Sequence, residues 1–266
     1  MATRVTVQAL QRKKQAGERI TALTAYDFST ARALDECGID FVLVGDSLGM
    51  VVLGYDSTIP VTMSDMVHHT RAVSRGVERA LVVADMPFMS YQVSIEEAVS
   101  NAGRLIQEGG AQAVKVEGGR AVVEAVARMV DIGIPVLGHL GMTPQSVHKF
   151  GGFKVQGKSE SDAERILDDA IALQSAGAFG VVLELIPADL AKSVTDTLKI
   201  PTIGIGAGPH CDGQVLIVDD MLGIYQVREL KHNKKYADLH AVMQKAFGEY
   251  IREVKEGKFP GTEHSF

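Results

Sequence analysis

The sequence has no tryptophan and only two cysteines in 266 residues. Cys37 lies in a helix-like stretch and Cys211 in a loop, and neither belongs to a CxxC or other metal-ligand spacing. That excludes a disulfide framework and a thiolate metal site, and both residues read as free thiols of a reducing compartment. Positive charge is also scarce. The net charge is −6, and the one lysine-rich patch, Lys231 to Lys235, is short and sits between Glu229 and Asp238. It reads as a solvated loop, so nucleic acid is not an expected partner. No apolar run approaches the ~20 residues that a membrane helix requires. Residues 1–17 are polar, carry Arg12, Lys13 and Lys14, and lack the apolar core of a secretory signal. The expectation is a cytoplasmic protein with no membrane partner. Linkers, low-complexity segments and shifts of composition are absent as well, which predicts a single domain over residues 1–266.

What the chain does contain is a recurring unit, a short apolar β-branched run followed by a helical stretch. The runs are Ile20–Ala25, Phe41–Gly45, Ala80–Ala84, Ala113–Val116, Pro135–Gly138, Val181–Leu183, Thr202–Ile205 and, less sharply, Val215–Val218. Their hydrophobicity is continuous rather than alternating, as in parallel strands buried on both faces. Between them lie helix signals. Ser64-Asp65 precedes Met66, Val67, Thr70 and Val73, Ser94 and Glu97 have capping-box spacing, and Ser161 to Ala176 is a third helix. Eight such units predict a (β/α)8 TIM barrel with an extra N-terminal helix over Val5–Lys14. The competing open, doubly wound sheet would carry a glycine fingerprint after its first strand, and none is present.

In a barrel the strand C-termini converge on one mouth, where side chains do chemistry. Here those ends read Tyr26-Asp27, Asp46-Ser47, Asp85, Lys115 and Glu117, His139, Glu184 and the glycines of Gly204–Gly208. Asp46, Asp85 and Glu117 close consecutive strands. Neighbouring strands lie ~5 Å apart, so three carboxylates at one level repel strongly unless neutralised. An oxygen-only donor set favours a hard cation, Mg2+, over zinc. Lys115 and Glu117 are two apart on a strand and share a face. They are either a structural ion pair or a lysine that holds a substrate carboxylate or enolate oxygen beside a metal-binding acid. Glu184, an acid inside an apolar run, is a candidate general base, against the plainer reading of a strand-end acid facing solvent. His139 either binds substrate or is a satisfied structural histidine. The glycines of Gly204–Gly208 suit backbone approach to a phosphate or substrate, or a tight turn. Met142 to Lys158 is long for a βα-loop and is a candidate lid.

The segments Thr24–Asp27, Val44–Gly49, Asp56–Thr58, Ala84–Phe88, Lys115–Gly119, Gly138–Gln145, Gly204–Gly208 and Pro260–Phe266 occur in order and in register with those of one family. Through them the chain resembles the ketopantoate hydroxymethyltransferases. The resemblance implies transfer of a one-carbon unit from 5,10-methylenetetrahydrofolate to 3-methyl-2-oxobutanoate in pantothenate biosynthesis. It implies Mg2+ on Asp46 and Asp85 with Glu117 in the metal's shell, substrate contacts from Ser47 and Lys115, and Glu184 as proton acceptor. It also implies a large homo-oligomer, typically a decamer in bacteria. The chain departs from the family pattern over Gln226–Lys235. Two other readings stand beside this one: a Mg2+-dependent C–C lyase of the isocitrate lyase and phosphoenolpyruvate mutase superfamily, and a non-catalytic binding barrel.

Overall fold

A computed structural model describes residues 4–225 and 231–266. Part of the departing segment, residues 226–230, therefore lies outside the described residues. By its internal contacts the chain divides into two compact units, Met1–Ile217 and Val218–Phe266.

The first unit is a closed barrel of eight parallel strands in chain order. They are β1 (Ile20–Thr24), β2 (Phe41–Val44), β3 (Leu81–Asp85), β4 (Ala113–Glu117), β5 (Val136–Gly141), β6 (Gly180–Glu184), β7 (Thr202–Ile205) and β8 (Gly213–Leu216). Helices separate all of them but β7 and β8, and the runs of β2 to β7 are covered on both faces. That is why they lack alternation on the page. The predicted TIM barrel is the observed fold.

Inside the barrel a finer pattern appears. Leu81 and Val83 of β3, Ala113 of β4, Leu137 of β5 and Val182 of β6 belong to one apolar cluster with Ile20, Phe41 and Ile203. Side chains along a strand repeat with period two. The next inward positions are therefore Asp85, Lys115 then Glu117, His139 and Glu184. Register places them side by side, with Asp85 opposite Lys115 and Glu117 opposite His139. The barrel interior passes from an apolar floor to a charged layer near its mouth.

The expected N-terminal helix is present over Val7–Ala16. Leu10 joins Ile20, Phe41 and Phe179 in the core, so this helix closes the end where the strands begin. Lys13 and Lys14 anchor it there, each 2.7 Å from a carboxylate, of Asp40 and Asp212 respectively.

Boundaries shift where local chemistry overrides the apolar pattern. Helix Met63–Gly76 is capped by Thr62 rather than Ser64. The Thr62 hydroxyl accepts the Asp65 N–H at 3.2 Å, and the Asp65 carboxylate accepts the Thr62 N–H at 2.9 Å. That reciprocal pair satisfies two otherwise orphaned donors. The eighth strand begins at Gly213, earlier than the apolar run suggested. A Cβ there would lie 2.5 Å from the Ile20 carbonyl oxygen, so only glycine lets β8 close against β1.

The second unit contains helices Val218–Met221 and Leu239–Lys255. Asp238 caps the longer helix by accepting the Ala241 N–H at 3.2 Å. Its Met243, Phe247, Tyr250, Ile251 and Val254 are exposed. Among the described residues no helix is long and apolar enough to cross a membrane.

Candidate active site

β3 ends on Asp85, and one of its oxygens, Oδ2, accepts the backbone N–H of Asp46 at 3.0 Å. Asp46 is brought there because β2 stops at Val44. Gly45 takes the inward position, and a Cβ on it would lie 2.7 Å from Ser47 Oγ and 3.6 Å from Asp85 Oδ2. The chain then turns into the short helix Leu48–Val51. Ser47 shares a 2.8 Å hydrogen bond with the buried Tyr26 hydroxyl. Its strand-end neighbour Asp27 is elsewhere, exposed and capping helix Phe28–Glu36 through the Thr30 N–H.

Lys115 stands among the acids. Its Nζ is 3.2 Å from Asp85 Oδ1, 3.9 Å from Glu117 Oε1 and 3.1 Å from His139 Nδ1. Burial opposes its charge, but Asp85, Glu117 and Asp46 outweigh that and raise its pKa above the ordinary lysine value. An ammonium can only donate, so His139 Nδ1 accepts and the imidazole proton sits on Nε2. That nitrogen faces Glu184 Oε2 at 3.3 Å. Burial, then the charge of Lys115, lowers the His139 pKa, keeping the ring neutral near pH 7. Glu184, 15% exposed at its side chain, is the most accessible acid of the layer, whereas Asp85, Lys115 and Glu117 are each 4% exposed.

Burial raises the pKa of all three acids. For Asp46 it acts first, with repulsion from Asp85 and Glu117 adding to it. At Asp85 burial again acts first and Lys115 opposes it. Glu117 is pushed up to about 7 by burial, against the pull of Lys115 and the Gln145 N–H. One oxygen of Asp85 and one of Glu117, with His139 Nε2, are buried without a hydrogen bond of good geometry. The partner oxygens are tied, Asp85 Oδ2 by the Asp46 N–H and Glu117 Oε2 by the Gln145 N–H. Asp85 Oδ1 has the Lys115 ion pair at 3.2 Å in place of a hydrogen bond, and buried carboxylate oxygens short of hydrogen bonds are costly. A hard divalent cation, which takes oxygen donors, suits such a set. Among the described residues no group of three or more His, Cys, Asp or Glu side chains is gathered in metal-ligand geometry. The structure brings the three expected ligands to one layer, with the Lys115 ammonium among them.

Two further residues complete the layer. Gln145, from the loop after β5, donates from Nε2 to Asp46 Oδ2 at 2.8 Å and to the Met86 carbonyl at 2.9 Å. Tyr91, from the loop after β3, donates to Gln145 Oε1 at 2.7 Å and accepts the Glu117 N–H at 3.0 Å. Neither stands at a strand end, so inspection of strand ends passes over both. The one sequence signal for Gln145 was its place in the Gly138–Gln145 motif. The loop Met142 to Lys158 contains a 3-10 turn, Pro144–Ser146, and a short helix, Val147–Phe150, so its first part is built into the site. In Gly204–Gly208, Gly208 has φ +77°, and a Cβ would lie 2.6 Å from that of Ala188, so both backbone conformation and close helix approach call for glycine at that position.

Comparison with known proteins bears on the family and the fold. Residues 4–262 match the family model described as ketopantoate hydroxymethyltransferase. The 3-methyl-2-oxobutanoate hydroxymethyltransferase of Syntrophus aciditrophicus is 62% identical over 263 residues, covering 99% of this chain and 97% of that one. Its counterpart from a Thermoanaerobacter species is 59% identical over 266 residues, covering 100% and 97%. Among solved structures, 2,3-dimethylmalate lyase, a member of the phosphoenolpyruvate mutase and isocitrate lyase superfamily, aligns with TM-score 0.62 at 17% identity, covering 93% and 87%. Phosphonopyruvate hydrolase, in a complex with oxalate and Mg2+, aligns with TM-score 0.61 at 13% identity, covering 97% and 92%. At such identity these structures share the fold. Identity above one half along the whole length is a stronger statement, and by it the chain belongs to the ketopantoate hydroxymethyltransferase family.

Proposed function

We propose that the chain transfers a hydroxymethyl unit from 5,10-methylenetetrahydrofolate to 3-methyl-2-oxobutanoate, with Mg2+ held by Asp46, Asp85 and Glu117. The observation that carries the reading is the charged layer at the barrel mouth, where oxygen donors, an ammonium and a more accessible carboxylate stand within a few ångströms of one another. Bound Mg2+ would supply Lewis-acid polarisation of the 2-oxo group, worth several kcal/mol of charge stabilisation. The chain's own residues do the rest. Glu184 takes the C3 proton, and the electron pair left behind spreads onto the keto oxygen as an enolate. Lys115 is the nearby cation for that developing charge. Ser47 and His139 bind and orient the oxo acid, and the neutral His139, with its proton on Nε2, leaves Glu184 free of a competing cation. C3 then bonds to the methylene carbon of the folate, both bonds from that carbon to the folate nitrogens break, one water supplies the hydroxyl oxygen of the product, and the two nitrogens take up the C3 proton and the remaining proton of that water.

The site tests itself without folate. Proton NMR of 3-methyl-2-oxobutanoate in D2O with the protein and Mg2+ should show loss of the C3–H signal, suppressed by EDTA. Silence both without and with tetrahydrofolate would refute the reading. A homo-oligomer, expected to be a decamer, goes with it and is supported by the exposed apolar side chains of helix Leu239–Lys255. Light scattering at micromolar concentration should give a mass of several chains, and a monomer would remove that part.

A further inference from the structure

Gln145 hydrogen-bonds two of the three acids at once, Asp46 and Glu117. The residue is 6% exposed; its side chain donates to Asp46 Oδ2 at 2.8 Å, and its backbone N–H donates to Glu117 Oε2 at 2.9 Å. The orientation of the amide follows from its neighbours. The Asp46 carboxylate and the Met86 carbonyl only accept, so Nε2 faces them. Oε1 then receives the Tyr91 hydroxyl at 2.7 Å and Gln92 Nε2 at 3.2 Å. Both amide hydrogens and both lone pairs of the oxygen are used, which leaves the side chain one setting. Tyr91 closes the circuit by accepting the Glu117 N–H at 3.0 Å. β2 and β4 are not neighbours, since β3 lies between them. The loop after β5 therefore ties their acids together from above the strand ends.

We infer that Gln145, locked by Tyr91, is the positioning residue of the cation site. It occupies one oxygen of Asp46 and one of Glu117, so each acid has a fixed second oxygen for the ion. The inference rests on the Mg2+ reading above. Mg2+ demands near-octahedral placement of its donors and tolerates wandering ligands poorly. A network that removes carboxylate rotation therefore acts on affinity as well as on stability. Partners that orient metal ligands contribute about 10- to 100-fold to affinity or activity when removed.

The test compares the full chain with Gln145→Met, Tyr91→Phe and the double variant. Mg2+ binding is measured by isothermal titration calorimetry, and C3–H exchange of 3-methyl-2-oxobutanoate is followed at saturating Mg2+. Gln145→Met should weaken Mg2+ binding about 10- to 100-fold and lower kcat, with KM for the oxo acid changed by about twofold or less. Tyr91→Phe should move Mg2+ affinity in the same direction by a smaller factor. The double variant should be no worse than Gln145→Met within about twofold, because the two residues act through one network. A merely structural network predicts a lower Tm in EDTA with Mg2+ affinity unchanged, and that result overturns the inference. If Gln145→Met fails to fold, unchanged Mg2+ affinity in Tyr91→Phe overturns it instead. Should the wild-type chain bind no Mg2+, the functional reading falls and takes this inference with it. Wild-type binding with an indifferent Gln145→Met removes the inference alone.

Discussion

Replacing Lys115 by methionine keeps most of the side-chain volume and removes the one ammonium set among three buried acids. The wild-type contacts are 3.2 Å to Asp85 and 3.9 Å to Glu117. At an effective dielectric of ~20 these correspond to gross attractions of about 5 and 4 kcal/mol. The desolvation of the lysine offsets much of that, and breaking a buried pair by deleting one partner costs about 3–5 kcal/mol net. Proton uptake by the stranded acids limits the loss. Glu117 sits at about 7 even beside the lysine, so at pH 6 it already carries a proton while at pH 8 it does not. Each proton taken up costs up to ~1.4 kcal/mol more per pH unit, so the loss is greater at pH 8. For a chain of this size ~1 kcal/mol shifts Tm by about 2–4 °C, giving a fall of roughly 6–20 °C in EDTA at pH 8. Differential scanning calorimetry at pH 6 and 8, with EDTA or Mg2+, measures it. Mg2+ should raise the Tm of Lys115→Met more than that of the wild type, because a second cation then supplies the missing charge. A variant within about 2 °C of the wild type in EDTA at pH 8 would refute the view that Lys115 neutralises this layer.

The raised pKa of Glu117 has a definite sign. Its protonated form is favoured in the fold, so its stabilising contribution is full below the ordinary carboxylate range and is lost as pH rises through about 7. Mg2+ needs the ionised form, so its affinity should strengthen through the same window with proton release. Calorimetry in two buffers of different ionisation enthalpy checks this, and identical heats at pH 6.5 would contradict it. Asp85→Ala, which deletes a proposed ligand, should bind Mg2+ at least tenfold more weakly, and equal affinity would end its place in the metal site. Glu184→Gln should bind 3-methyl-2-oxobutanoate nearly as well as the wild type yet slow C3–H exchange at least ~100-fold, and full exchange would strike it from the mechanism. Gly141→Ala should destabilise by about 1–3 kcal/mol from its backbone conformation alone. Its φ is +93°, and the new Cβ would meet the Glu184 carbonyl oxygen at 2.2 Å. Unaltered thermal unfolding of that variant would refute the requirement for glycine at this crossing.

Much of this was legible before any coordinates. Continuous apolar runs can be buried only between two layers, so eight of them separated by helical segments specify a barrel. Acids at the ends of such runs have one place to go, the mouth, and period-two alternation put Lys115 and Glu117 on one face. The roles of Asp27 and Asp85 were not distinguishable this way. Both follow an apolar run, yet Asp27 caps the next helix while Asp85 faces inward. Asp85 is the last residue of β3 whereas Asp27 lies three residues past the end of β1, and apolar runs do not define strand ends that finely.

By itself, then, the amino-acid sequence determined the architecture and the supply of charge at the barrel mouth, because periodicity and burial are local properties. Only the tertiary structure decided how those charges are arranged. Register brings Asp85 opposite Lys115 and Glu117 opposite His139. The loop after β5 folds back so that Gln145 reaches Asp46, 99 residues earlier in the chain. Such contacts depend on how loops return over a closed barrel, and no local pattern encodes a path of that kind. Gln145 and Tyr91 are thus read from distances, whereas the acids they hold can be read from the order of the residues.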